Sequence, residues 1–201
     1  MNIWFLLWVF LAIFILGLFF WSMQILLRQK KAWGAVASKH NMAFDKGNLT
    51  SSPSMRGSLK SFPLVVFSEE QTVNANGAKR FRTIIQFELP VRLGTAGVVA
   101  SPDARNFANS LVLKETINSS DVKVNESVTI RGDDAELVKN YITEDRAKSL
   151  NAVMMINGIA CIYIFDNNVT FLRFETPDAF DDEARLERFL LKAVDHVKVL
   201  V

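Results

Sequence analysis

The stretch KRFRTIIQFELP, Lys79 to Pro90, alternates with period two. Phe81, Thr83, Ile85, Phe87 and Leu89 fall on one side, and Arg80, Arg82, Ile84, Gln86 and Glu88 on the other. Successive side chains of a strand point to opposite faces, so the pattern predicts a strand with one face buried and one largely wet, as in an antiparallel sheet. Pro90 ends it, because proline has no N–H for the ladder. Upstream, Leu64 to Val73 is apolar and β-branched, and Asn74 to Gly77 (NANG) holds the Asn-Gly pair favoured in two-residue hairpins.

Downstream of Pro90 the period is mixed. Val91 to Ala100 is interrupted by Gly94 and Gly97, and Asp103 to Asn109 is long enough for one or two helical turns. Leu111 to Thr116 and Val122 to Arg131 read as strands around a polar loop. Next, GDDAELVKNYI predicts a short helix with Asp133 or Asp134 as N-cap. TEDRAKSLNAVMMING predicts a second, capped by Thr143 and closed by Gly158. IACIYIF and VTFLRFE flank Asp166-Asn167-Asn168 as another hairpin. A final helix, capped by Thr176 or Asp178, shows an apolar stripe of Phe180, Leu186, Phe189, Leu190, Ala193, Val194, Val197 and Val201. The fold class is therefore α+β: an antiparallel-sheet domain with short helices and a long C-terminal helix. Strands followed by a final helix are similar to a PH-like barrel, from which the helical insertion Asp134 to Ile156 departs.

Upstream of the sheet, Asp45 to Ser58 is rich in Gly, Ser, Thr and Pro and reads as a linker or long loop. In Arg28 to Met42, Trp33, Val36, Ala37 and His40 have helical spacing. This predicts a stalk docked on the domain, the alternative being a short amphipathic piece lying on the membrane. Before it, Ile3 to Leu27 contains no charged residue. A bilayer span takes about 20 apolar residues. Trp4 and Trp8 near one end and Trp21 near the other suit the membrane interface. No basic region precedes the run and no small-x-small site follows it, so it reads as a retained anchor rather than a signal peptide. The expected organisation is a transmembrane anchor over 1–27, a juxtamembrane helix and linker over 28–54, and a cytoplasmic domain over 55–201.

Orientation follows from charge. Arg28, Lys30, Lys31, Lys39 and Lys46 follow the span against a single acid, Asp45, and no Lys or Arg precedes it. The positive-inside rule then puts the N-terminus outside and the domain in the cytoplasm. A single cysteine, Cys161, accords with a reducing compartment. Four sequons, at Asn48, Asn118, Asn125 and Asn168, are the argument for the opposite orientation.

The net charge of +2, without zinc-finger spacing or an aromatic RNA-binding motif, excludes a basic nucleic-acid binder. Cys161 and the two histidines, His40 and His196, make no metal-ligand spacing, and Cys161 lies in an apolar strand where a thiol is a small hydrophobe. No phosphate loop, dinucleotide fingerprint or nucleophile elbow occurs. The acidic pair at 133–134 and the acidic triplet at 181–183 start helices and read as caps. Lys79, Arg80 and Arg82 form a basic patch that, with Arg28, Lys30 and Lys31, could face anionic lipid, or else is a solvated strand face.

The layout also resembles a loose group of uncharacterised bacterial single-pass membrane proteins. The resemblance rests on Trp33 to Phe44, Met55 to Phe67, Arg82 to Pro90 and VTIRGDDAELVKNYIT, Val128 to Thr143. It implies membrane attachment and a bacterial origin, and supplies no activity or catalytic residue. The expected role is a membrane-anchored, non-enzymatic binding or scaffold protein without cofactor or metal. Its partners would be the lipid bilayer and a membrane-proximal protein, at the bacterial inner membrane. The alternative is an anionic-lipid or small-ligand binding domain of PH-like type.

Overall fold

The computed structural model describes residues 3–72, 79–166 and 168–201. Its first element, α1 (Ile3–Lys39), runs unbroken from the apolar stretch into the basic one. Residues up to Leu27 lie largely on the surface, whereas Gln29, Lys30, Ala32, Trp33, Val36 and Ala37 are buried against the domain. The expected stalk thus docks. α1 ends in a Schellman arrangement: Met42 N–H donates to the Ala37 carbonyl at 2.8 Å and Asn41 N–H to that of Ser38 at 3.4 Å, with Asn41 at φ 53°.

The strands are β1 (Ala43–Asp45), β2 (Ser54–Leu59), β3 (Phe62–Thr72), β4 (Lys79–Leu89), β5 (Gly97–Ala100), β6 (Glu115–Ile117), β7 (Thr129–Gly132), β8 (Ala160–Phe165) and β9 (Thr170–Thr176). They form one sheet in the order β1-β2-β3-β4-β9-β8-β5-β7-β6, with antiparallel neighbours throughout. β1 and β6 stand at opposite edges, so the PH-like barrel gives way to an open sheet. Between strands lie α2 (Arg105–Ser110), α3 (Ala135–Tyr141) and α4 (Glu144–Met154), and α5 (Glu183–Leu200) ends the chain.

The alternation read in β4 sets the two faces. Thr83, Ile85, Phe87 and Leu89 point with Met55, Leu64, Val66, Cys161, Tyr163, Phe165, Leu172 and Phe174 into a core closed by α1, α4 and α5. Burying that much apolar surface, at about 25 cal/mol per Å², is the main force holding the layers together. On the opposite face Ile84 is also buried. Tyr141 donates its hydroxyl hydrogen to the Leu200 carbonyl, leaving Tyr163 to donate to the Tyr141 oxygen at 2.6 Å. This pair ties the end of α5 to the sheet, and burial pushes both phenols above their ordinary range.

Several local expectations change. Of 122–131 only the last three residues are strand, as the start of β7, because Val122 ends a 3-10 turn and Lys123 takes φ 56°. Within 111–116, pairing with β7 begins only at Glu115. Asp134 is the N-cap of α3, its side chain accepting from Leu137 N–H at 3.0 Å. The last helix starts later than Thr176 or Asp178, with Asp182 as its cap. The reason is Phe180, which turns into the core at φ 48° while Thr83 Oγ1 donates to the Asp178 carbonyl at 2.7 Å. The Asn74–Gly77 turn and Asn167 lie outside the described residues.

Candidate functional site

The outer face of the sheet is covered only in part. Over β5 and β8, α2 and the 3-10 turn that leads into it lie close, because the residues that touch are small: Ala104 of the turn and Ala108 of α2 pack on Val98, Ala100, Ala160 and Ile162. Arg131 of β7 holds α2 there. Its guanidinium donates to the carbonyls of Ala108 at 3.0 Å, Leu111 at 2.9 Å and Leu113 at 2.8 Å. A cation on the last carbonyls of a helix satisfies acceptors the helix itself cannot.

Between α2 and the β3–β4 ribbon the face sinks into a groove of about 500 Å³. Its floor is Ala160, Ile162 and Ile164 of β8 and Phe171 of β9. Asp103, Asn106 and Phe107 make one wall, and Glu69 and Arg82 the other. Arg173 crosses the floor, bonding Glu175 through Nε at 2.7 Å and Glu69 through Nη2 at 3.2 Å. Arg82 is the register partner of Glu69, yet makes no hydrogen bond or ion pair among the described residues. The groove therefore offers an apolar trough, lined by two guanidinium groups, Arg82 and Arg173, against three carboxylates, Glu69, Asp103 and Glu175. Arg173 is engaged by two of these, and a guanidinium without a partner among the described residues, as on Arg82, has the geometry to take a carboxylate or phosphate bidentately.

The other expected residues are placed as follows. Trp4, Trp8 and Trp21 are exposed on α1, as are Arg28 and Lys31. Lys30 is only 4% exposed and turns into the domain, its ammonium donating to the Asn48 carbonyl and, at 3.5 Å, to that of Leu49. Nothing in an isolated helix sequence distinguishes it from Lys31; the 45–54 loop folding back over it does. The side chains of Lys79 and Arg80 lie outside the described ones, while Arg82 belongs to the groove. Burial pushes the Cys161 thiol well above its ordinary value, far from a thiolate. His40 contacts Glu187 at 3.0 Å, and His196 contacts Ser149 Oγ at 3.2 Å. The Ser149 hydroxyl also faces the His196 carbonyl at 3.2 Å, clipping α4 to α5. Among the described residues no three His, Cys, Asp or Glu gather as a metal site would require.

One helix, Ile3–Lys39, is long and apolar enough to cross a membrane, as in a single-pass membrane protein. No protein family model and no curated protein matches the sequence.

Proposed function

We propose that this chain is a membrane-anchored, non-enzymatic binding or scaffold protein of the bacterial inner membrane. α1 spans the bilayer with the N-terminus outside, and the sheet domain binds a membrane-proximal protein on the cytoplasmic side. The groove carries this reading: a partly covered sheet face with an apolar floor and an Arg82 that makes no hydrogen bond or ion pair among the described residues, on a domain joined to the anchor by one continuous helix. The orientation rests on Arg28, Lys30, Lys31, Lys39 and Lys46 following the apolar run.

A photocrosslinking residue at Phe107 of the full-length protein tests it in intact cells. The expected outcome is a discrete adduct that Arg82→Glu abolishes and that a crosslinker at Val112, which is fully exposed, does not form. Equal labelling from both sites would count against the groove. Reporter fusions at the C-terminus, active in the cytosol and silent outside it, test the orientation.

The second reading, an anionic-lipid site, draws support from Arg82 also lining a crevice beside Ser22, Ile25 and Leu26 of α1. Lipid adducts in place of a protein at the Phe107 crosslinker, lost in a Lys79, Arg80 and Arg82 triple alanine variant, would favour it.

A further inference from the structure

Phe81 breaks the pattern of its strand. It lies on the same side of β4 as Thr83, Ile85 and Phe87, all buried, yet is itself 66% exposed. It stands past the end of the core. What it stands beside is α1: Phe81, Ser22, Ile25, Leu26 and Gln29 border one crevice of about 220 Å³. Gln29 Nε2 donates to Ser68 Oγ at 3.3 Å, and Ser68 pairs with Thr83, two residues further from the ribbon's end than Phe81. The ribbon therefore climbs along α1 toward its apolar part. Leu27 ends that part, and Ser22 is five residues inside it, about 7.5 Å at 1.5 Å per residue. The height of Phe81 is thus that of the helix's exit from the bilayer. Trp21, 68% exposed, occupies the same level on α1 itself.

We propose that the β3–β4 ribbon is a second membrane contact, with Phe81 seated in the headgroup layer of the leaflet from which α1 emerges. Aromatic rings favour that layer, where one part of the ring is apolar and the surroundings are wet. Over 69–82 the chain carries three cations, Lys79, Arg80 and Arg82, against Glu69 and Glu70, so an anionic surface does not repel it. Exposure alone does not single out this ring, since single apolar residues are common on surfaces. Its position beside the apolar end of α1, fixed by a helix without a break, does.

The proposal rests on α1 spanning the bilayer, and one experiment separates the two. The full-length protein is reconstituted into phosphatidylglycerol-containing vesicles with an environment-sensitive fluorophore on Phe81→Cys, Val112→Cys or Ile13→Cys in turn. Cys161 is fully buried and does not compete for label. Quenching by lipids spin-labelled near the headgroup should be severalfold stronger at 81 than at 112, while lipids spin-labelled deep in the chain quench the label at 13. Strong quenching at 13 with equal quenching at 81 and 112 overturns the ribbon contact alone. Absence of deep quenching at 13 overturns the span, and the proposal with it.

Discussion

Trp33 ties α1 to the domain by both packing and a hydrogen bond. It is fully buried, and its indole N–H donates to the Ala179 carbonyl at 3.2 Å, across 146 positions of sequence. Replacing a buried tryptophan by alanine costs about 3–5 kcal/mol. Trp33→Ala should therefore lower the urea midpoint of the full-length protein in detergent by a large fraction of its total. Gly97 is the opposite case, where nothing can be added. A Cβ there would run into the Phe165 ring and come within 3.0 Å of the Arg131 carbonyl, and Phe165 is fully buried. Gly97→Ala should destabilise by about 1–3 kcal/mol, as overpacking does, whereas Gly17→Ala, open on all sides, should leave the melting temperature of the domain unchanged. Among the residues singled out from sequence, Lys30 differs most from expectation. A lysine between Gln29 and Lys31 on a helix reads as solvated, and only the loop closing over it makes it buried.

The elements that could be read from sequence are those whose signal is local. β4 announces itself by alternation, α3 by Asp134, and the β8–β9 pair by polar residues between apolar runs. The strands at the sheet's far edge, β6 and β7, fall in segments that read as strands but are far shorter than those segments, because pairing across the sheet decides where they begin. The groove was not legible at all. Glu69, Asp103, Ile162 and Arg173 come from four separate segments, and no spacing rule links them. The contact of α1 with α5 carries a pH dependence that can be measured. Lys39 donates to Glu187 at 2.8 Å and His40 meets its other oxygen at 3.0 Å. Hydrogen bonds from Lys39 and then His40 hold the Glu187 carboxyl below its ordinary value near 4.5. A lowered folded-state value means that the contribution is complete above the unfolded value and disappears as pH falls from about 4.5 through the folded one. The stability gap between the native protein and Glu187→Gln should accordingly be wider near neutrality than in acid, read from urea midpoints across that range. A gap that does not change with pH would show that the pair adds nothing through charge.

At the scale of the whole molecule, the juxtamembrane part of α1 and the domain share one core. Trp33, Val36, Ala37 and Met42 belong to it, and β1 extends the sheet from the same segment. A fragment spanning 28–201 should melt cooperatively, while one spanning 55–201 should melt well below it or fail to fold, as circular dichroism would report; equal melting temperatures would contradict the shared core. The unbroken α1 has a mechanical consequence. Its 37 residues make a rod of about 55 Å. The apolar portion is roughly 37 Å long against a hydrocarbon slab of ~30 Å, so a spanning rod would either tilt or carry its ends, Trp21 among them, into the headgroup layer. With no joint between the apolar part and the side chains wedged under the sheet, any tilt of the rod would pass undiminished into the domain. Were the rod to span a bilayer as proposed, thinning lipid would stoop the trough toward the surface and thickening lipid would raise it.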